Sequence, residues 1–229
     1  MRACEACYNF AKGFEVPFIS GKDSLYNESP LGPVTPTLLI TAVGIVPDVR
    51  KSISMDAKEM GNLLYQIGRT YSELGGSEYY KLRGYVGRTV PKVRATHAKK
   101  AFDAVTKAID EGYIRACHDL SEGGLAVASA EMAFSGGYGM NINLASVPRS
   151  RGTRKDYQIL FSESNSRFLV EVPERFKADF EKTMEGCTLS IVGRVRKDKE
   201  FCVQSLSGEK IISASLSDLT DAWKSAFEV

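Results

Sequence analysis

Residues 114–125, Ile114-Arg115-Ala116-Cys117-His118-Asp119-Leu120-Ser121-Glu122-Gly123-Gly124-Leu125, run from a short apolar strand into a polar, glycine-closed turn and out into a helix of small residues reaching Phe134. Gly136, Gly137 and Gly139 stop that helix. Upstream, Ala98, Ala101, Phe102, Val105, Ala108 and Ile109 form an apolar stripe at helical spacing, with Thr96 placed to cap it and Gly112 to close it. Asn62 to Gly68 reads as another strand, and Gly75-Gly76-Ser77 opens a short helix carrying Tyr79 and Tyr80. Downstream, Arg167–Val172, Ser190–Val195 and Phe201–Ser205 read as strands. Phe176, Phe180 and Met184 mark one helix, and Leu216, Leu219, Trp223 and Phe227 a closing amphipathic one. Strands and helices alternate without long runs of either, which predicts an α/β (α+β) domain with helices on a mixed sheet over residues 51–229.

Residues 1–50 read differently. Ala3, Ala6, Cys7, Phe10 and Phe14 sit at helical spacing, Val16–Ser20 is a short apolar strand, and Thr37–Val46 is a nearly continuous apolar run broken by Pro47-Asp48. One helix and two strands are too little for an independent core. The expectation is therefore an incomplete domain whose sheet is finished by another chain or by further sequence, with association through the strand edge of residues 16–46. Residues 148–155, Pro-Arg-Ser-Arg-Gly-Thr-Arg-Lys, are basic and are expected to form a mobile surface loop.

Composition narrows the classes. The chain has 229 residues, 43% apolar and 25% charged, with a net charge of +2. That charge gives no argument for nucleic acid or an anionic membrane. No apolar run reaches the roughly 18 residues a membrane helix needs, and no signal-peptide core opens the sequence. A cytoplasmic protein is expected, with Cys4, Cys7, Cys117, Cys187 and Cys202 as reduced thiols. Cys4 and Cys7 have the spacing of half a zinc site, but nothing nearby completes it.

Four polar turns can carry chemistry. Gly21-Lys22-Asp23-Ser24 ends a strand: glycine lets a phosphate approach, Lys22 can neutralise it, Asp23 can hold Mg2+ and Ser24 can donate a hydrogen bond. It is not a P-loop, since the four-residue spacer and second glycine are missing. In His118–Gly124, Asp119 or Ser121 can cap the following helix, Asp119 can also take a metal, and the amides of Ser121 to Gly124 can take an anion. Leu74-Gly75-Gly76-Ser77-Glu78 is a third such turn. Phe161-Ser162-Glu163-Ser164-Asn165-Ser166-Arg167 is a fourth, with Glu163 its functional carboxylate. No catalytic Ser-His-Asp or Cys-His constellation is visible, because Cys117 and His118 are strand neighbours facing opposite ways.

Taken in order, Cys4-Glu5-Ala6-Cys7, Val16–Glu28, Pro36–Ile40, Leu74–Glu78, Cys117–Leu125, Ala130–Phe134 and Phe161–Ser164 resemble the second half of the synthetase family that makes formylglycinamidine ribonucleotide, within the aminoimidazole ribonucleotide synthetase-like superfamily. The resemblance implies a barrel-forming N-terminal domain, of which 1–50 is a part, and a C-terminal α/β domain. It implies an ATP- and Mg2+-dependent ligase of purine biosynthesis that takes ammonia from a glutaminase subunit. Carried over, Gly21 is nucleotide-binding through ATP, Ser24 is substrate-binding, and Asp119 and Ser121 resemble the metal-binding and nucleotide-binding residues of a second, auxiliary nucleotide site. Lys22 stands where part of the family has a metal-binding Asn, which removes that ligand or moves it to Asp23. The family's catalytic histidine lies in a first tandem unit absent from these residues. The expectation is thus a fragment or split-gene product, inactive without its N-terminal half, in a homo- or hetero-oligomer. Two alternatives share the superfamily or the fold: another ATP-dependent member acting on thiamine phosphate, selenide or a hydrogenase precursor, and a non-catalytic half that only completes a partner's barrel. Gly21-Lys22-Asp23-Ser24 followed by Leu25-Tyr26-Asn27-Glu28, and the lack of a reactive Cys in a glycine-rich leader, argue against the first.

Overall fold

The structure is a computed structural model that describes residues 2–22, 27–35 and 37–225. It divides into two compact units, the first ending at Val49 and the second beginning at Arg50.

The first unit holds α1 (Arg2–Phe14), which buries no residue, and a minimal antiparallel ladder of β1 (Glu28–Ser29) on β2 (Gly32–Pro33). Phe10 and Phe14 stack one helical turn apart with ring centroids at 4.4 Å. The strands expected at 16–20 and 37–46 are not formed. Their described residues are in neither helix nor strand, and Ile19, Leu39, Val43 and Ile45 are between 86 and 96% exposed. An extended segment becomes a strand only when neighbouring strands take its N–H and C=O groups, and among the described residues this unit offers none to that run. No barrel exists among them.

The second unit is built on a seven-stranded sheet. Its strands are β3 (Leu63–Ile67), β4 (Ala116–Asp119), β5 (Gly139–Asn143), β6 (Phe168–Val172), β7 (Leu189–Arg196), β8 (Glu200–Gln204) and β9 (Lys210–Ser215). They lie in the order β4-β6-β3-β7-β5-β8-β9, antiparallel throughout except for the parallel β5–β8 pair. The sequence did not announce β5, whose Gly139 and two asparagines weaken the pattern, or β9, which is half-exposed at the sheet edge. β3 is buried at all five positions, so its run LLYQI shows no alternation.

Helices cover both faces. Leu63, Tyr65 and Ile67 point toward α3 (Ala95–Asp110) and α6 (Lys177–Thr183), packing with Val105, Ala108, Phe180 and Met184. The opposite face, with Leu64, Leu169 and Ile142, packs on α4 (Gly124–Gly136) and α7 (Leu216–Ser225) through Leu125, Met132 and Leu216. α4 can lie close because it is made of small residues: a Cβ on Gly136 would stand 2.2 Å from the carbonyl oxygen of Ala57. Thr96 does not cap α3; Arg94 precedes the helix and its side chain makes no cap hydrogen bond. Residues 148–155 form a surface loop, with Arg151, Gly152, Arg154 and Lys155 exposed, and it is anchored near its start. Thr70 forms a bridge with Arg149, giving its N–H to Pro148 and accepting from Ser150, and Thr153 is buried. No helix among the described residues is long and apolar enough to cross a membrane.

Candidate functional site

The glycine turns of the second unit converge on one carboxylate. Glu163 follows α5 (Asp156–Phe161), and its Oε1 accepts from the amide of Glu78 (3.0 Å) and the amide of Gly123 (2.9 Å). One side chain thus clasps the start of α4 and the start of α2 (Glu78–Leu82), whose first turn is capped by Ser77 Oγ accepting from Tyr80. The clasp requires glycines. Gly123 is the residue before α4 at φ +73°, and Gly124 has φ +62°, with a hypothetical Cβ 2.5 Å from the carbonyl oxygen of Ser162. Asp119 and Ser121 therefore do not cap α4, and two amides of the expected anion site are already engaged: Gly123 with Glu163, and Gly124 with the carbonyl of Ser121.

At the end of β4 the side chains form a chain of polar contacts. Ser121 donates to Asp119, whose other oxygen lies 3.2 Å from His118 Nδ1, and His118 Nε2 lies 2.9 Å from Glu131 Oε2 on α4. The Ser121 hydroxyl is the chief cause that holds the Asp119 carboxyl below its ordinary value, with His118 adding to it, so Asp119 is ionised at neutral pH. Beside them opens a cleft of about 410 Å3, lined by Asp119, Ser121, Glu163, Asn165, Arg167 and Phe168 among others.

Arg167 forms the floor. It is 1% exposed, yet it makes three donations: Nε to the Ser164 carbonyl (2.7 Å), Nη2 to the Ser162 carbonyl (2.5 Å) and Nη1 to Thr70 Oγ1 (2.9 Å). Burial pulls its pKa down to about 10, opposed by the charges of Glu73 and Glu163, so the guanidinium stays charged. The adjacent Ser166 holds φ +60°, the left-handed region that a non-glycine residue rarely adopts. Such strain is kept where surrounding contacts over-determine the backbone, as the Arg167 fork does here.

The structure brings together Asp119 and Ser121 and adds Glu163. Gly21 lies in the first unit, exposed, with nothing within 4 Å of the place a Cβ would take. Asp23 and Ser24 lie outside the described residues. Sequence reasoning assigned no role to Glu131, although it is the only acidic or basic residue in α4, nor to Arg167, a charge directly preceding an apolar strand. No group of three or more His, Cys, Asp or Glu residues that could hold a metal occurs among the described residues. All five cysteines are free, and burial pushes the Cys117 thiol up to about 12, which removes it as a nucleophile.

Comparison with known proteins agrees with this architecture. Residues 59–204 match the family model described as AIR synthase related protein, C-terminal domain. The chain is 36% identical over 211 residues to the phosphoribosylformylglycinamidine synthase subunit PurL of Methanothrix thermoacetophila, an alignment covering 92% of this chain and 27% of that protein. The chain thus spans about a quarter of the length of that relative. Among solved structures, Thermotoga maritima PurL complexed with FGAR superposes with a TM-score of 0.66 at 18% identity over 75% of this chain and 30% of that one. E. coli HypE superposes with a TM-score of 0.54 at 17% identity, covering 72% and 52% respectively.

Proposed function

Given that the chain belongs to the AIR synthase-related family through its C-terminal domain, we propose that it is one part of a phosphoribosylformylglycinamidine synthase. In this reading the assembled enzyme uses ATP to activate the formamide oxygen of formylglycinamide ribonucleotide, and ammonia from a glutaminase partner displaces phosphate to leave the amidine. The observation that carries the reading is the 36% identity to a PurL subunit across 92% of this chain. HypE shares the fold at lower similarity, which favours the purine enzyme over that branch.

Within the second unit, Asp119, Ser121 and Glu163 are the residues we assign to the nucleotide. Asp119 is ionised, its side chain is 60% exposed, and it presents hard oxygen donors to the cleft. That suits Mg2+, which is held by one or two carboxylates together with phosphate oxygens and keeps several waters. The cation would neutralise phosphate charge. Ser121 fixes and acidifies Asp119, and Glu163 holds the two glycine turns at the rim. Gly21 as a nucleotide contact, Ser24 as a substrate contact and Asp23 as a metal ligand extend the assignment to the first unit. The partners implied are an N-terminal synthetase half and a glutaminase, in the cytoplasm, with the chain inactive alone.

The test combines this chain with the N-terminal half and glutaminase and follows ADP release with formylglycinamide ribonucleotide. Release that requires both halves, and that falls on Asp119→Asn, is expected. Release by the N-terminal half that is indifferent to this chain would refute the assignment. Substrate-dependent ATP hydrolysis by this chain alone would overturn the claim that it needs a partner.

A further inference from the structure

We propose that the arginine cleft formed by residues 147–154 binds a small phosphorylated metabolite carrying at least two negative charges. The inference does not depend on the function proposed above, because the cleft shares no lining residue with the one beside Asp119. It is an open hollow of about 540 Å3, lined by Val147, Arg149, Arg151, Thr153, Arg154 and Leu206 with Ser150 at its side. That volume lies within the range that holds a small organic ligand.

Three arginines share the hollow, and among the described residues none of them pairs with a carboxylate. Like charges lining one hollow repel one another, and an anion between them removes the repulsion. The acid nearest in sequence, Asp156, is already committed, its Oδ1 accepting from the Leu206 amide at 3.0 Å. Gln158 Oε1 accepts from the amides of Arg154 and Lys155.

The hollow is built rather than incidental. Arg149 Nη1 is tethered to the carbonyls of Leu144 (3.3 Å), Ala145 (3.1 Å) and Val147 (3.1 Å). Arg154 Nε donates to the Arg151 carbonyl at 3.0 Å. Ser150 and Thr153 are joined by their hydroxyls at 2.9 Å, and the backbone of Thr70 pins the segment on both sides of Arg149. Two of the three guanidinium groups, those of Arg149 and Arg154, are thus pre-positioned, and such groups cost a ligand less ordering than free ones and suit the geometry of a phosphate. The lining carries no aromatic ring on which a base could stack, and the chain's net charge is only +2, so a nucleic acid does not fit. Only Val147 and Leu206 are apolar, which excludes a hydrophobic ligand.

Inorganic pyrophosphate is the probe. It is titrated into the full 229-residue chain in 150 mM salt, about the physiological value, while backbone amide shifts are followed by NMR. Sulfate at equal ionic strength is the control. Saturable shifts at Ser150, Gly152, Thr153 and Arg154 are expected. The double variant Arg151→Ala/Arg154→Ala alters exposed side chains, so it should fold as the parent does and bind at least roughly tenfold more weakly, the loss of one charge-assisted contact or more. The conservative Arg151→Lys/Arg154→Lys should retain part of the affinity. Shifts that are absent from residues 147–154, that sulfate reproduces in full, or that persist unchanged in the alanine variant would overturn the proposal.

Discussion

Replacing Arg167 with Met tests whether the buried guanidinium is the keystone of the clasped turns. Its fork serves two main-chain carbonyls, Ser162 and Ser164, and the Thr70 hydroxyl, at 2.5, 2.7 and 2.9 Å. Hydrogen bonds from a charged donor contribute about 1.5–3 kcal/mol each, and a buried acceptor left without a partner costs about 1–3 kcal/mol. Against this, Met removes the desolvation penalty that pulls the arginine's pKa down to about 10. The balance for breaking a buried ionic arrangement from one side is about 3–5 kcal/mol of lost stability. For a chain of this size each kcal/mol moves the midpoint by about 2–4 °C, so Arg167→Met should melt about 6–20 °C below the parent. Arg167→Lys, which keeps the charge but loses the fork, should fall between the two. Arg194→Met is the control. Arg194 also makes a bidentate pair, with Glu174, but at the surface, and should not move the midpoint measurably. Thermal melts followed by circular dichroism give all of these values. A loss for Arg167→Met no larger than for Arg194→Met would refute the reasoning.

Three further outcomes follow. Ser121→Ala removes the first cause of the low Asp119 pKa, so the carboxyl should titrate closer to its ordinary 3.8 in a carbon-detected NMR titration. Because a depressed folded pKa stabilises above the unfolded value and is lost as pH falls through the folded one, the variant should lose stability relative to the parent at neutral pH, and the difference should vanish at pH values below both. Gly124→Ala places a Cβ against the Ser162 and Leu160 carbonyls at positive φ, and should cost more than about 2 kcal/mol by urea denaturation; a cost under 1 kcal/mol would show that the turn relaxes freely. Cys117, with its thiol pushed up to about 12, should resist iodoacetamide at pH 8 in the folded chain while exposed Cys4 reacts, as peptide mass spectrometry would show; early labelling of Cys117 would contradict its burial.

What the sequence discloses is local, and what it hides is mutual. The helix of small residues and the strand within 62–68 were legible because composition and glycine placement are properties of one segment. Asp119 and Ser121 were legible as a polar turn for the same reason. Their dependence on Glu163 was not, since forty residues separate Gly123 from the carboxylate that takes its amide. The same limit misplaced the cap of α4: a run of Asp, Ser and Glu before a helix reads as capping chemistry, but a distant carboxylate does that work and leaves Asp119 free to face the cleft. Residues 148–155 read as a surface loop and are one, but the bridge that anchors the loop to Thr70 is likewise a distant contact that no pattern in the segment reveals. In the first unit the error ran the other way. The apolar runs at 16–20 and 37–46 carry strand propensity, but propensity makes a strand only when a ladder exists to receive it, and exposures of 86% at Leu39 and 93% at Val43 mark residues that have none here. The polar turns clasped by Glu163 and floored by Arg167 are in contrast satisfied within their own unit, so their order needs no ladder from another segment.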